Sequence, residues 1–198
     1  MGIGFHLVLM SLTMPVGAAT DIVGPSRARA AVSPDGNRVV RRTAVESKQV
    51  PPPPLVHVMA QHRFDGKTDG FVKQFEVRLT DYLAQFLFVS DAGHVVMVSL
   101  TPKNSLRLYS EDGKLQKSWN LDEILSKAEI EACGQTGSTI QWFEEGSVSP
   151  HGESFYFRGP STRLRALGPS YTIMRGADEK VGFSRQLDLK ASALTKVE

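Results

Sequence analysis

The sequence predicts a mainly β protein: two four-stranded antiparallel, blade-like sheets, forming a partial propeller or a sandwich, with one short helical insert. Three observations predict it. Apolar runs of strand character recur from Gln74 to Leu189, separated by clusters of Asp, Gly, Ser and Pro. A turn phrase recurs as "AAVSPDGNRVV" from Ala30, "FVSDAGHVVMVS" from Phe88 and "GSVSPHGESFYFRG" from Gly146. Finally, a single stretch, from Asn120 to Cys133, carries helical periodicity and caps.

The elements follow in order. "QFEVRLT" alternates, with Phe75, Val77 and Leu79 on one side and Gln74, Glu76, Arg78 and Thr80 on the other. "QFLFVS" and "HVVMVSL" are nearly continuous apolar runs, suited to central strands joined at "DAG". "SLRLYS" and "KLQKSW" flank Asp112-Gly113, a hairpin tip. These four strands form a meander, the pattern of one propeller blade or half a sandwich. Asn120 with Glu123, and Ser126 with Glu129, are capping boxes, so the helical stretch is read as one helix or two short ones. After "CGQTGS" the strands resume as "TIQWF", "ESFYFRG", "SYTIMRG" and "VGFSRQLDL", a second group of four.

The chain has 198 residues, 41% of them hydrophobic, enough for one ordinary domain and its core. With 23 Lys+Arg against 21 Asp+Glu there is no concentrated basic excess, which argues against nucleic acid as a partner. Residues 1–19 read as a signal peptide. "IGFHLVLMSLTMPVGAA" is too short for a convincing membrane span, and Gly17 and Ala19 are placed for cleavage before Thr20, although no Lys or Arg precedes the apolar run. The expected location is therefore periplasmic or secreted, with no stable membrane anchor. Residues 20–54 are rich in Arg, Pro, Ser and Gly, end in "VPPPP", and read as a flexible segment or a lone hairpin at "SPDG". That leaves 55–198 as the β-repeat domain.

Ser33, Ser90 and Ser149 open the three phrases, 57 and 59 residues apart, and Gly36, Gly93 and Gly152 lie three residues further on. The phrase Ser-Pro-Asp-Gly followed by apolar residues resembles the hairpin of bacterial exported β-propeller repeats of the Tol type. "VSPDGNRVV" matches in full, "VSPHGESFYF" keeps Ser, Pro and Gly, and "VSDAGHVVMV" keeps Ser and Gly. "LRLYSEDGKLQKSW" is similar to the outer hairpin of such a blade. The resemblance spans about residues 75 to 190 and implies a fold type and a binding role more than any activity.

Motifs for catalysis are missing. "HGESFYF" lacks the second Gly of a nucleophile elbow, and His151 and Glu153 share a strand side that excludes Ser154. Glu144 and Glu145 are sequence neighbours, which splits them across a strand and spoils a glycosidase pair. His57 and His62 lack a zinc-helix context, "DGKTDG" lacks the acidic ligands of a calcium loop, and no phosphate-binding glycine signature occurs. His94 and His151 each stand beside a repeat turn and would come close if the sheets stack in register. The only cysteine, Cys133, reads as a small apolar residue. No catalytic, cofactor or metal residue is assigned. The candidates for partner contact are Arg163 and Arg165, in the Arg-rich loop "RGPSTRLRALGPS", and Trp119 and Trp142, should their rings be exposed. The reading is an exported, non-enzymatic binding or scaffold module with a protein partner. The alternatives are an envelope enzyme or accessory acting on polysaccharide or peptide, or a fragment of a larger propeller.

Overall fold

The computed structural model describes residues 29–45, 56–79, 84–135, 139–160, 162–167, 172–180 and 182–197. The signal-peptide reading of residues 1–19 and the Pro-rich run at 51–54 lie outside them. The first sheet is built in the order β1 (Arg29–Val32), β2 (Arg38–Val45), β3 (Val56–Asp65) and β4 (Gly70–Leu79). The second is the meander β5 (Ala84–Val89), β6 (Val95–Ser99), β7 (Leu106–Tyr109) and β8 (Leu115–Trp119). Two short helices follow, α1 (Leu121–Ile124) and α2 (Lys127–Ala132), each opened by a capping box, from Asn120 to Glu123 and from Ser126 to Glu129. A two-stranded ladder of β9 (Gly134–Gln135) and β10 (Ile140–Gln141) leads to β11 (Glu145–Val148) and β12 (Ser154–Arg158). After a hairpin of β13 (Thr162–Leu167) and β14 (Thr172–Lys180), the chain adds β15 (Ser184–Asp188) and β16 (Ala193–Val197). The third sheet is thus β11-β12-β15-β16.

The sheets stack side by side, with β5 lying against β1 and β2 on one flank and β11 on the other. Period-two alternation sorts the side chains between two cores. Val95 and Met97 of β6 join Val40, Met59, Leu79, Leu87, Val89 and Tyr109 between the first and second sheets. Val96 and Val98 join Leu106, Leu108, Trp142, Phe143, Phe155, Phe157 and Leu187 between the second and third. All five residues of β6 are therefore buried. Phe88, Phe143, Phe155 and Phe157 form a run of ring contacts through this second core, with centroids 4.7 to 6.4 Å apart. The helices are fastened to the third sheet by Arg185. Its guanidinium donates to both carboxylate oxygens of Glu129 at 2.8 Å and to the Ile124 carbonyl at 3.1 Å. Paired this way, the charge is tolerated in the interior.

The mainly β, blade-like architecture agrees with the sequence reading, and so do the two capped helices. Phe155 and Phe157 fill the places in the third sheet that Val95 and Met97 fill in the second, as their strand positions require. Three details differ. There are three four-stranded sheets rather than two, because the Ser33 phrase is neither a lone hairpin nor a spacer: β2 pairs with β3 along eight residues, across the boundary expected at 54/55. Residues 29–45 lack large apolar side chains, but a sheet in this stack needs only one well-filled face, and Ala31 and Val40 meet the apolar face of the second sheet. The second strand group also has a different membership. "TIQWF" gives only the two residues of β10, since the Trp142 N–H turns back onto the Ile140 carbonyl at 2.9 Å. "SYTIMRG" gives β14 of a separate hairpin, and the third sheet takes β11 and β16 instead. Low apolar content hid both from a pattern search.

Gly113 at the β7–β8 tip has φ of 82°, as the Asp-Gly signal requires. A Cβ there would also come within 2.7 Å of the Phe75 ring. Gly113→Val is expected to destabilise the fold by at least about 1 kcal/mol in urea unfolding. An unchanged midpoint would reject both grounds.

Candidate functional site

Strand polarity places six hairpin tips on one face: β1–β2, β3–β4, β5–β6, β7–β8, β11–β12 and β15–β16. Four tips share one chemistry. The carbonyls of Ser33, Ser90, Ser110 and Ser149 accept from the N–H of Gly36, Gly93, Gly113 and Gly152 at 2.8 to 2.9 Å. Each glycine has positive φ. Each serine hydroxyl accepts a backbone N–H from the returning strand, from Arg38, His94, Lys114 and Ser154 respectively. The Ser33 and Ser110 hydroxyls donate to Asp35 and Asp112. Those bonds contribute to lowering both carboxyls to about 2. For Asp35 the Ser33 hydroxyl is the leading cause, and for Asp112 the Lys114 ammonium is.

The tips are also tied to one another. The Asp35 N–H donates to the Asp91 carboxylate at 2.9 Å, and Arg38 Nε to the Asp91 carbonyl at 2.7 Å. Gln61 donates to the Gly93 carbonyl at 3.2 Å. Gly152 packs so closely on the next tip that a Cβ would lie 3.0 Å from the Asp91 nitrogen. The three phrases seen in the sequence thus form one continuous rim.

Between the tips of the second and third sheets lies a cleft of about 650 Å³, lined by His94, Glu111, Gln116, His151, Glu153 and Lys190 among others. Its size suits a small ligand or a side-chain cluster of a partner. The structure brings His94 and His151 into this one cleft, as in-register stacking predicts. Burial pushes the His94 imidazole below its ordinary range, with Glu111 acting against that and Arg38 with it. Its Nδ1 is buried and has no hydrogen-bond partner. Glu111 and Glu153 are held in no ion pair among the described residues, whereas Asp112 is bound to Lys114 at 2.7 Å. The cleft therefore offers two carboxylates beside the His94 imidazole, with the Lys190 side chain also in its lining. Among the described residues no group of three or more His, Cys, Asp or Glu is arranged to hold a metal ion.

The candidates for partner contact fall elsewhere. Trp142 is fully buried, its indole donating to the Ser99 carbonyl at 2.8 Å, and Trp119 is buried with the Lys117 ammonium 4.9 Å from its ring centre. Neither ring offers a face to a partner, because both fill the core between the second and third sheets. Arg163 and Arg165 lie on β13, a strand rather than a loop, and their side chains are outside the described residues. Glu145 sits on the outer face of the third sheet, paired to Arg158 at 2.7 Å, and does not converge with Glu144. His57 is buried toward the second sheet and His62 lies on the opposite face of β3. Cys133 is buried, and burial, with Glu129, pushes its thiol up to about 11, which suits a packing residue. The sequence missed Glu111 and Lys190 as cleft residues. Only the hairpin turns marked their positions, and nothing local joins residues so far apart.

No protein-family model matches the chain, and no curated protein matches it. Thirty-five chains of solved structures do. One is the crystal structure of HIRA(644-1017), 12% identical, with a TM-score of 0.38 over 87% of this chain. The chain spans 56% of the length of that structure. A likeness at this level carries no property of HIRA to this protein.

His94 provides a pH test. Its folded pKa lies below the unfolded value of 6.5, so its contribution to stability is complete above that value and declines as pH falls through and below it. The melting temperature of the native protein is expected to fall between about pH 7 and 5 more steeply than that of His94→Gln. Parallel profiles would show that the imidazole is solvated.

Proposed function

We propose that this chain is an exported, non-enzymatic binding module of propeller-like build, and that its face of hairpin tips takes a basic segment of a protein partner. The observation that carries this reading is the cleft beside His94, where Glu111 and Glu153, from two different tips, are held in no ion pair among the described residues. Side chains from four different tips converge there, an arrangement suited to recognition by loops on a rigid scaffold. A lysine or arginine from a partner would form the ion pair that neither carboxylate makes within the described residues, and carboxylates at such a rim raise the rate of encounter with basic surfaces. The Ser-Pro-Asp-Gly hairpins, similar to those of exported Tol-type repeats, support the same class of role. Export rests on the apolar N-terminal run and the small residues Gly17 and Ala19.

Two measurements test the reading. Capture from envelope extract is expected to recover a protein with the native chain and to lose it with Glu111→Lys/Glu153→Lys. Equal capture by both would remove the cleft from the interaction. Intact mass from the native host is expected to fall short of the full chain by about 19 residues. A full-length cytoplasmic product would reject export.

A further inference from the structure

The second sheet is covered on both sides, but among the described residues nothing packs over one face of the first sheet or one face of the third. The outer face of the first sheet carries Val32, Val39, Arg41, Val58, Phe64, Phe71, Lys73, Glu76 and Arg78, by alternation from the residues that meet the second sheet. Val32 is 60% exposed, and Phe64 and Phe71, an edge-to-face pair at 5.6 Å, are exposed as well. The outer face of the third sheet carries Glu145, Ser147, Tyr156, Arg158, Gln186 and Asp188. A hollow of about 320 Å³ surrounds Tyr156 and Arg158 there.

Register shows what these faces fit. Counted from the serine turns, the first strand pairs are Val32–Val39, Val89–Val95 and Val148–Phe155. Val89 and Val95 are the residues on which the second sheet receives the first. Val32 and Val39 hold the same places, and nothing described covers Val32. On the opposite faces, Val40 pairs with Gln61 and Arg42 precedes Thr43 in the strand that meets the second sheet. In the third sheet Tyr156 pairs with Gln186, and Arg158 stands where Arg42 does. Gln61 reaches across to the Gly93 carbonyl of the neighbouring turn. Gln186 stands at the equivalent place, its amide donating to the Ser154 hydroxyl of its own sheet at 3.0 Å, and Gly36, the counterpart of Gly93, is open, with nothing within 4 Å of a Cβ built on it. The outer face of the third sheet thus shares the Arg and Gln positions of the first sheet's inner face, and the outer face of the first carries at Val32 and Val39 the valine pair on which the second sheet receives it.

We propose that the occupant is a second copy of this chain. Its first sheet packs on the third sheet of the original, and its third sheet on the original's first, across a two-fold axis. Two such contacts close at once, and three sheets from each copy make a ring of six blades, within the range of about four to eight for closed propellers. Charge favours the pairing over self-stacking of like faces. The outer first face has Arg41, Lys73 and Arg78 against Glu76, while the outer third face has Glu145 and Asp188 against Arg158. The proposal does not depend on the cleft at the hairpin tips.

Sedimentation velocity on the full chain at tens of micromolar is expected to give a two-chain species. Val32→Glu and Tyr156→Glu, both at exposed positions, are each expected to give monomers whose far-UV circular dichroism matches the native chain. Mixing these two variants is expected to restore dimers. The mixed pair concentrates both substitutions in one contact and leaves the other native. A monomeric native chain, dimers that persist in both variants, assemblies larger than two chains, or a mixture that stays monomeric would each overturn the closed ring.

Discussion

The fold depends on the second sheet being buried on both faces. β6 places Val95 and Met97 against the first sheet and Val96 and Val98 against the third, so each of its residues is committed to a core. A strand in that position cannot alternate apolar with polar, and "VVMVS" does not. The flanking sheets need apolar residues on one face only. That is why the first sheet can be built partly from a segment as poor in large apolar residues as 29–45, and why β11, "EGSV", suffices as a strand of the third.

Packing of sheet on sheet is non-directional, and the angular relation between sheets is fixed by polar contacts at the rim. Arg38 and Gln61 bind carbonyls of the next turn, and Asp35 is linked to Asp91. These bonds need the turns to approach closely. Gly93 permits it, since a Cβ there would fall 2.6 Å from the Arg38 guanidinium. The recurring Ser-x-x-Gly therefore serves twice: the serine closes its own hairpin, and at 93, 113 and 152 the glycine leaves room for the neighbouring sheet. On the far side of the molecule, Arg185 and Glu129 supply a similar directional tie between the helices and the third sheet.

The same rim creates the cleft. Because the β5–β6, β7–β8, β11–β12 and β15–β16 hairpins open on one face, side chains from four separate stretches of the chain, from His94 to Lys190, line it together. The core beneath is rigid, with rings packed from Phe88 to Phe157. The outer faces of the first and third sheets are separate from this rim, since alternation along each strand sets them apart from the turns at its ends.

The sequence by itself determined what depends on local physics. Period-two alternation in "QFEVRLT", Asp-Gly at 112–113, the two capping boxes and the serine-glycine turns are all settled by neighbouring residues, and each stands in the structure as read. It also allowed that His94 and His151 would share one place if the sheets stacked in register, and both line the cleft. Tertiary structure decided the rest. A tryptophan on a strand can be core or contact surface, and only the third sheet's position buries Trp142. Weak segments such as 29–45 and Glu145–Val148 become strands because a neighbour supplies the hydrogen bonds and apolar surface they lack, contacts between residues too far apart in the chain for any local pattern to record.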